Sequence, residues 1–393
     1  MDPLLADWLN ILVRWGHLVA GISWIGASFY FVALDLSLRK APVMPPGVMG
    51  EAWEVHGGGF YHVQKYLSAP AQLPPHLIWF KWEAYITWIT GFCLMILQYY
   101  LQADLYLIDP QVLPLLPWQA VAISVVSLGA GWFIYDRLCH SPIGQNTGWL
   151  ALCVYVLILV AAYNFGRVFS GRGAFIHAGA FVGTMMAANV FAVIIPNQRK
   201  ITASLLKGET PDPKLGAMGK QRSLHNTYLT LPVLFMMLSN HYAIITGNPY
   251  AWVLVGLIVL GGGLARYALL RHEVGDDMAK FAWALPVIAL CLAGAVMLTE
   301  SKTGPASQMK VSDEDALAIV TRRCTACHSA TPTDATIKQA PKGIMFASVD
   351  DLKRYAKQIE TQAVLHHTMP MGNKTGMLPE EREKLGAWIA GLK

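Results

Sequence analysis

Long apolar runs alternate with short polar connections over the first 300 residues of the chain. A helix that crosses a bilayer needs about 20 consecutive, mostly apolar residues. Eight segments meet that need: 8–34, 81–101, 118–134, 149–165, 174–195, 224–245, 252–270 and 281–298. Trp and Tyr gather near many of their ends, where amphipathic rings anchor a helix at the interface. The pattern predicts an all-α fold: a polytopic membrane bundle of about eight transmembrane helices over residues 1–300. After Glu300 the pattern stops. A polar linker, 301–311, leads into residues 312–393, which read as a small soluble domain.

Two ends of that domain are helical by pattern. Ser312 caps SDEDALAIV, with acidic residues in the first turn. Pro379 starts PEEREKLGAWIAGL, where Leu385, Trp388 and Ile389 share one face. Between 35 and 80, EAWEVHGGGFYHVQKY predicts a hairpin turning at Gly57-Gly58-Gly59.

Composition sharpens the membrane reading. Of 393 residues, 54% are hydrophobic and only 14% charged, too apolar for one soluble core of this length. The net charge of +5 resides in a few connections and reads as a topology signal, not a nucleic-acid surface. Cys93, Cys139, Cys153 and Cys291 sit in or beside apolar runs as small hydrophobes, so the six cysteines are not a disulfide framework. MDPLLADW lacks the basic region of a cleavable signal peptide, and the first span is expected to remain as an anchor.

Cys324 and Cys327 form CTACH with His328. This spacing is that of covalent haem attachment: two thioether links and an axial imidazole on one edge of the porphyrin. With a helix on either side and a downstream Met-Pro, the segment resembles a small class I cytochrome c. Met369 in HHTMPMGN then becomes the sixth iron ligand, with Met371 as runner-up and Met377, His366 and His367 behind it. A redox dithiol or half a zinc site is the rival reading of the cysteine pair. Haem is installed outside the bacterial cytoplasmic membrane, which places the domain in the periplasm, and eight spans place the N-terminus there too. Charge agrees. The inward connections carry Arg39, Lys40, Lys65, Lys81, Arg137, Arg199, Lys200, Arg222, Arg266 and Arg271 among others, and the outward ones only Arg167 and Arg172.

HLVAGISWIGASFYFVALDLSLRK from His17 echoes HAGAFVGTMMAANVFAVIIPNQRK from His177. The match pairs the two histidines and both Arg-Lys ends, implying a 4+4 parallel repeat. Ionisable groups within spans are costly and mark candidate sites. An outer group holds Arg14, His17, His177, Asn240 and His241; an inner group holds Glu83, His225 and Asn226. Histidine or Glu83 would serve as general base. Arg14, Asn226 and Asn240 would bind substrate. His17 and His177 could also ligate an additional haem b or metal. No dinucleotide fingerprint is present.

WGHLVAGISWIGASFYFVALDLSLRK, FKWEAYITWITG, NVFAVIIPNQRK and RSLHNTYLTLPVLFMMLSNHY, followed by a cytochrome c, resemble the membrane-bound urate oxidases (urate hydroxylases) of bacteria. The first span is also similar, more loosely, to the His-bearing first helix of copper-resistance and protoporphyrinogen-oxidase type membrane proteins. The main resemblance implies oxidation of urate to 5-hydroxyisourate in purine breakdown, in the bacterial inner membrane. It further implies that electrons leave through one haem c to a soluble cytochrome or terminal oxidase. Two other readings remain open: a membrane-anchored quinol-to-cytochrome c carrier, and a transporter with a redox tail. The motif itself makes a prediction. The full-length protein should retain haem after denaturing electrophoresis, and Cys327→Ala should weaken or abolish that haem stain. An unstained wild-type band from cells able to attach haem would overturn the assignment.

Overall fold

A computed structural model describes residues 3–66, 76–300 and 309–392. Most of the linker, 301–308, and residues 67–75 of the long connection lie outside the described residues. The fold is mostly helical. In chain order come α1 (Pro3–Ser37), the hairpin β1 (Val48–His56) and β2 (Gly59–Tyr66), then α2 (Trp82–Met95), α3 (Ala103–Tyr106) and α4 (Pro117–His140). Next are α5 (Thr147–Val168), α6 (Gly171–Ala188), α7 (Ile195–Leu206), α8 (Pro213–Leu238), α9 (Ala243–Thr246), α10 (Ala251–Glu273) and α11 (Ala284–Thr299). The C-terminal segment adds α12 (Asp313–Arg323), α13 (Val349–Arg354), α14 (Ala356–Ile359) and α15 (Pro379–Ala390).

Each apolar run falls on a helical segment, but the segments are not alike. Among the described residues, five are long and apolar enough to cross a membrane: Leu4–Ser37, Pro117–His140, Thr147–Val168, Gly171–Leu206 and Ala251–Glu273. The other three differ for visible reasons. α2 ends at Met95 and continues as a π-helical stretch, Ile96–Tyr100. The first half of α8 is polar, PKLGAMGKQRS, and α11 has only 16 residues.

α6 is the centre of the bundle. Its sequence places Gly or Ala at nearly every turn, and small residues let neighbouring backbones approach closely. A Cβ added at Gly179 would press on Met236 of α8 at 3.1 Å, and the ring of Phe181 already fills the space over Gly131 of α4. Pro232 inside α8 lies against Gly262 of α10, where an added Cβ would meet its ring at 3.0 Å. In consequence, 67% of the most apolar window of Gly171–Leu206, the segment that α6 begins, is buried, against 11% for Leu4–Ser37. The repeat therefore pairs a central helix with a peripheral one: α1 packs on α2 at the edge. Two buried arginines correct the charge reading. Arg222 and Arg266, expected in connections, are 1% and 0% exposed within α8 and α10.

The hairpin forms as the pattern predicts. Gly57 and Gly58, both at positive φ, make its two-residue turn, and His56 pairs with Gly59. Both central residues at φ > 0 match the twist of the flanking strands. Trp53 stands opposite His62, ring on ring at 4.2 Å. The hairpin sits against the C-terminal end of α1, where Tyr30 donates to Glu54 at 2.7 Å and Lys65 pairs with Asp35.

The C-terminal segment has its own apolar cluster, with Ala316, Val320, Leu352, Met377 and Leu385 fully buried. Ser312 accepts from the Asp315 N–H, and Trp388 Nε1 donates to Asp313 at 2.8 Å, tying α15 to α12. This segment seats on the opposite end of the bundle from the hairpin. Gly372, at φ +54, faces the carbonyls of Asp104, Leu105 and Ile108; a Cβ there would come within 2.8 Å of two of them. Gly247 lies against the backbone of His366, and Gln111 donates to the Met377 carbonyl at 3.1 Å. The connections on this end include those assigned outward by charge. Gly372→Val should therefore unseat the segment, because it adds both a clash and an unfavourable φ. Limited proteolysis should show new cleavage within 103–111 and 366–373, while Gly129→Ala, whose Cβ would meet nothing, behaves as wild type. Equal protection in both variants would refute the seating.

Candidate functional site

Two polar clusters lie inside the bundle, and each centres on a π-helical stretch. Such irregularities turn side chains out of helical register and recur at functional sites. Near the C-terminal segment, Ile96–Tyr100 presents Tyr99 and Tyr100. His177 is fully buried, and its Nδ1–H donates to the Gly173 carbonyl at 2.6 Å. Nε2 must then accept from Ser124 at 2.6 Å, which in turn takes a hydrogen bond from Tyr100 at 2.7 Å. The result is a one-directional chain, Tyr100 to Ser124 to His177. Asn240 donates to Tyr99 at 2.5 Å, and the Tyr99 ring meets His177 edge-on at 6.3 Å.

Toward the hairpin, the second stretch, Asn189–Ile194, presents Asn189. Its amide donates to the Tyr135 hydroxyl and to Asn226, both at 3.0 Å, and Asn226 donates to the Met186 carbonyl. Tyr135 also bonds His225 at 2.7 Å. Arg222 lies over the Tyr135 ring at 4.8 Å and donates to Asp136 at 2.7 Å. Its Nε and Nη1 are buried without a partner, as is Asn189 Oδ1. Twelve residues of α6 separate His177 from Asn189, about 18 Å at 1.5 Å per residue.

Of the predicted outer group, only His177 and Asn240 come together. His17 donates to the Thr87 carbonyl at 2.9 Å, near the middle of α2. Thirteen residues separate Thr87 from Tyr100, about 20 Å along that helix at 1.5 Å per residue. Arg14 is exposed and paired with Asn10, and His241 is exposed. His225 and Asn226 meet as expected, while Glu83 is half-buried in the first turn of α2. His17 and His177 do not converge, and both ring nitrogens of His177 are engaged. They do not suit a shared haem b or metal. Among the described residues no group of three or more His, Cys, Asp or Glu is placed to hold a metal ion.

Tyr100, Ser124, Tyr135, Asp136, Asn189 and Arg222 were not singled out from the sequence as site residues. For Arg222 the signal existed: it precedes His225 by three residues and Asn226 by four, on one face of α8.

The CTACH residues fit covalent haem. The N–H groups of Cys327 and His328 bond the Cys324 carbonyl, a turn that sets both thiols and the imidazole close together. Both cysteines are free thiols, and burial pushes Cys324 up to about 12. The Nδ1–H of His328 donates to the Ile344 carbonyl at 2.9 Å, which leaves the Nε2 lone pair available to a metal, as backbone carbonyls do for histidine ligands. Cys324 and Met369 both border the apolar cluster of this segment, and Arg382 holds the Met369 carbonyl at 2.7 Å. Met377 is completely buried in that cluster and Met371 lines the seam with the bundle, which favours Met369 among the methionines.

That seam forms a half-open cavity of about 510 Å³, lined from both sides. Burial lowers the His366 and His367 imidazoles on its C-terminal wall, keeping them neutral near pH 7.

A family model described as urate oxidase N-terminal matches residues 3–299. Neither a curated protein nor a solved structure matches the chain.

The buried Arg222–Asp136 pair makes a stability prediction. Asp136→Asn should destabilise the protein by about 3–5 kcal/mol, because it leaves a buried guanidinium without its counter-charge. The additional change Arg222→Met should recover much of the loss. Thermal unfolding in detergent reads both, and an unchanged midpoint in the single variant would refute the pair's role.

Proposed function

The chain belongs to the urate oxidase N-terminal family, and from that premise we propose that it oxidises urate to 5-hydroxyisourate within a bacterial inner membrane, its C-terminal segment acting as a periplasmic cytochrome c. In this reading residues 1–300 are the membrane-embedded oxidising domain, 301–311 the linker and 312–393 the electron-accepting domain. The reaction balances without an oxygenase. Urate gives up two electrons and two protons, and water supplies the new oxygen. The observation that carries the proposal is the seating of the C-terminal segment on the end of the bundle that holds His177. Electron transfer falls steeply with distance, and this arrangement favours oxidation at that end over the hairpin end.

Haem joined to Cys324 and Cys327, with its iron held by His328 and Met369, would supply a one-electron acceptor. A thioether ligand raises its potential. Arg382 and the Ile344 carbonyl hold the two ligand loops in place. In the bundle, His177 Nε2 is the basic end of a hydrogen-bonded chain fixed by Gly173. As His177 takes the Ser124 proton, Ser124 takes that of Tyr100, so a proton released near Tyr100 has a path inward. General-base assistance of this kind is worth about 10²–10⁴-fold in rate. Lysine and arginine crowd the hairpin end, consistent with a cytoplasmic location for it. A soluble cytochrome or a terminal oxidase would take the electrons onward.

Two experiments test this. Anaerobic addition of urate to membranes should reduce the haem, seen in its absorbance, whereas reduction by quinol and not by urate would replace urate oxidation with quinol chemistry. His177→Ala should slow that reduction by about 10²-fold or more with haem content unchanged. A rate equal to wild type would remove His177 from the mechanism.

A further inference from the structure

The cavity at the seam has a wall from each part of the chain. The bundle contributes Arg172, Thr246 and Trp252, and the C-terminal segment contributes His366, His367 and Met371. At about 510 Å³ it falls within the range of small-molecule sites, about 300–1,000 Å³. Its electrostatics select a charge sign: Arg167, Arg172 and Arg382 line it against the carboxylate of Asp109.

Two polar atoms on the bundle wall are unpaired. Thr246 is 2% exposed and its hydroxyl has no partner, and Arg172 Nε is likewise buried and unpartnered. Leaving such a group unsatisfied costs about 1–3 kcal/mol, which a small rotation of either side chain toward a ligand in the cavity would recover. Beside them is an aromatic surface. Arg167 stacks on Tyr163 at 5.1 Å and donates to its hydroxyl at 3.0 Å, and Tyr163 meets Trp252 edge-on at 5.8 Å. A planar anion rich in carbonyl oxygens suits this combination: its face can lie on an aromatic ring and its edge can accept from Arg172 and Thr246.

We propose that this cavity is the binding site for the purine anion, and that it is composite, complete only when the C-terminal segment is seated. The proposal rests on urate being the substrate and deepens that reading by giving urate its place. Phe169 lines the cavity, and its ring lies 4.4 Å from that of His177. An occupant is thus one aromatic layer from the Tyr100–Ser124–His177 chain. It also lies beside the loop that carries Met369, so electrons have a short path and no bridging group is required. Access is from the seated end of the bundle.

The test uses full-length protein in lipid nanodiscs. Urate binding is measured by equilibrium dialysis with radiolabelled urate, and urate oxidation and the haem spectrum are followed on the same samples. Arg172→Gln and Thr246→Val probe the bundle wall. His367→Gly probes the other wall at little risk to folding, because His367 has φ +52, a conformation glycine accepts freely. Arg172→Gln and His367→Gly should each weaken urate binding by about tenfold or more, and raise KM more than they lower kcat. If only the bundle-wall variants weaken binding, the site is not composite and that part falls. If none weakens binding while the haem spectrum or content changes, the arginines serve the porphyrin's carboxylates and the proposal is overturned. Wild-type protein that oxidises urate with every variant binding normally keeps the reaction and removes this site. Wild-type protein that binds urate through both walls without oxidising it keeps the site and removes the reaction.

Discussion

A polar side chain enclosed by apolar helices has no water to bond, so it must find a partner within the fold or cost the fold its stability. The bundle satisfies this constraint in two places, both against α6. The small residues of that helix draw α4 and α8 close enough for their polar groups to meet: Ser124 with His177, Tyr135 with Asn189, Asn226 with the Met186 carbonyl. Where pairing stays incomplete, as at Arg222, Arg266, Asn189, Asn240, Arg172 and Thr246 among others, the unspent hydrogen-bonding capacity marks where a ligand or ordered water has something to gain.

What could be read from the sequence was what local chemistry decides. The glycine turn of the hairpin, the Ser312 cap, the Pro379 helix start and the buried face of Leu385, Trp388 and Ile389 are set by neighbours a few residues away. The position of His177 needed more. Its partners, Ser124 and, through it, Tyr100, are 53 and 77 residues earlier, and no periodicity announces them. The repeat misled for the same reason. Similar strings at His17 and His177 share helix direction, yet one helix lies at the edge and the other in the middle, so equivalent histidines acquire different partners. Arg222 and Arg266 looked like loop charges because hydropathy cannot distinguish a charge beyond the end of a helix from one folded beneath it. The seam between the two parts of the chain is formed by residues far apart in sequence, and only the fold assembles it.

The two polar clusters have different consequences. The hairpin-end cluster contains a buried ion pair over a tyrosine ring and is a strong lock on α4, α6 and α8. The cluster near the C-terminal segment has a directional hydrogen-bond chain with no opposing charge, which suits proton transfer better than stability. Oxidation of a purine with water as oxygen donor releases both protons and electrons. In the function proposed above, hydroxyls and an imidazole of the bundle would take the first and the C-terminal segment the second, which divides that work between the two parts of the chain.

The seat of the C-terminal segment is defined by Gly247 and Gly372, where backbone meets backbone with no room for a side chain. The seat is therefore set by these two contacts and not by the length of chain that joins the segment to the bundle. A chain with a longer or shorter connection could keep the same seat so long as those two glycines persist. The length of that connection would then be free to vary in evolution while the contact surface stays fixed.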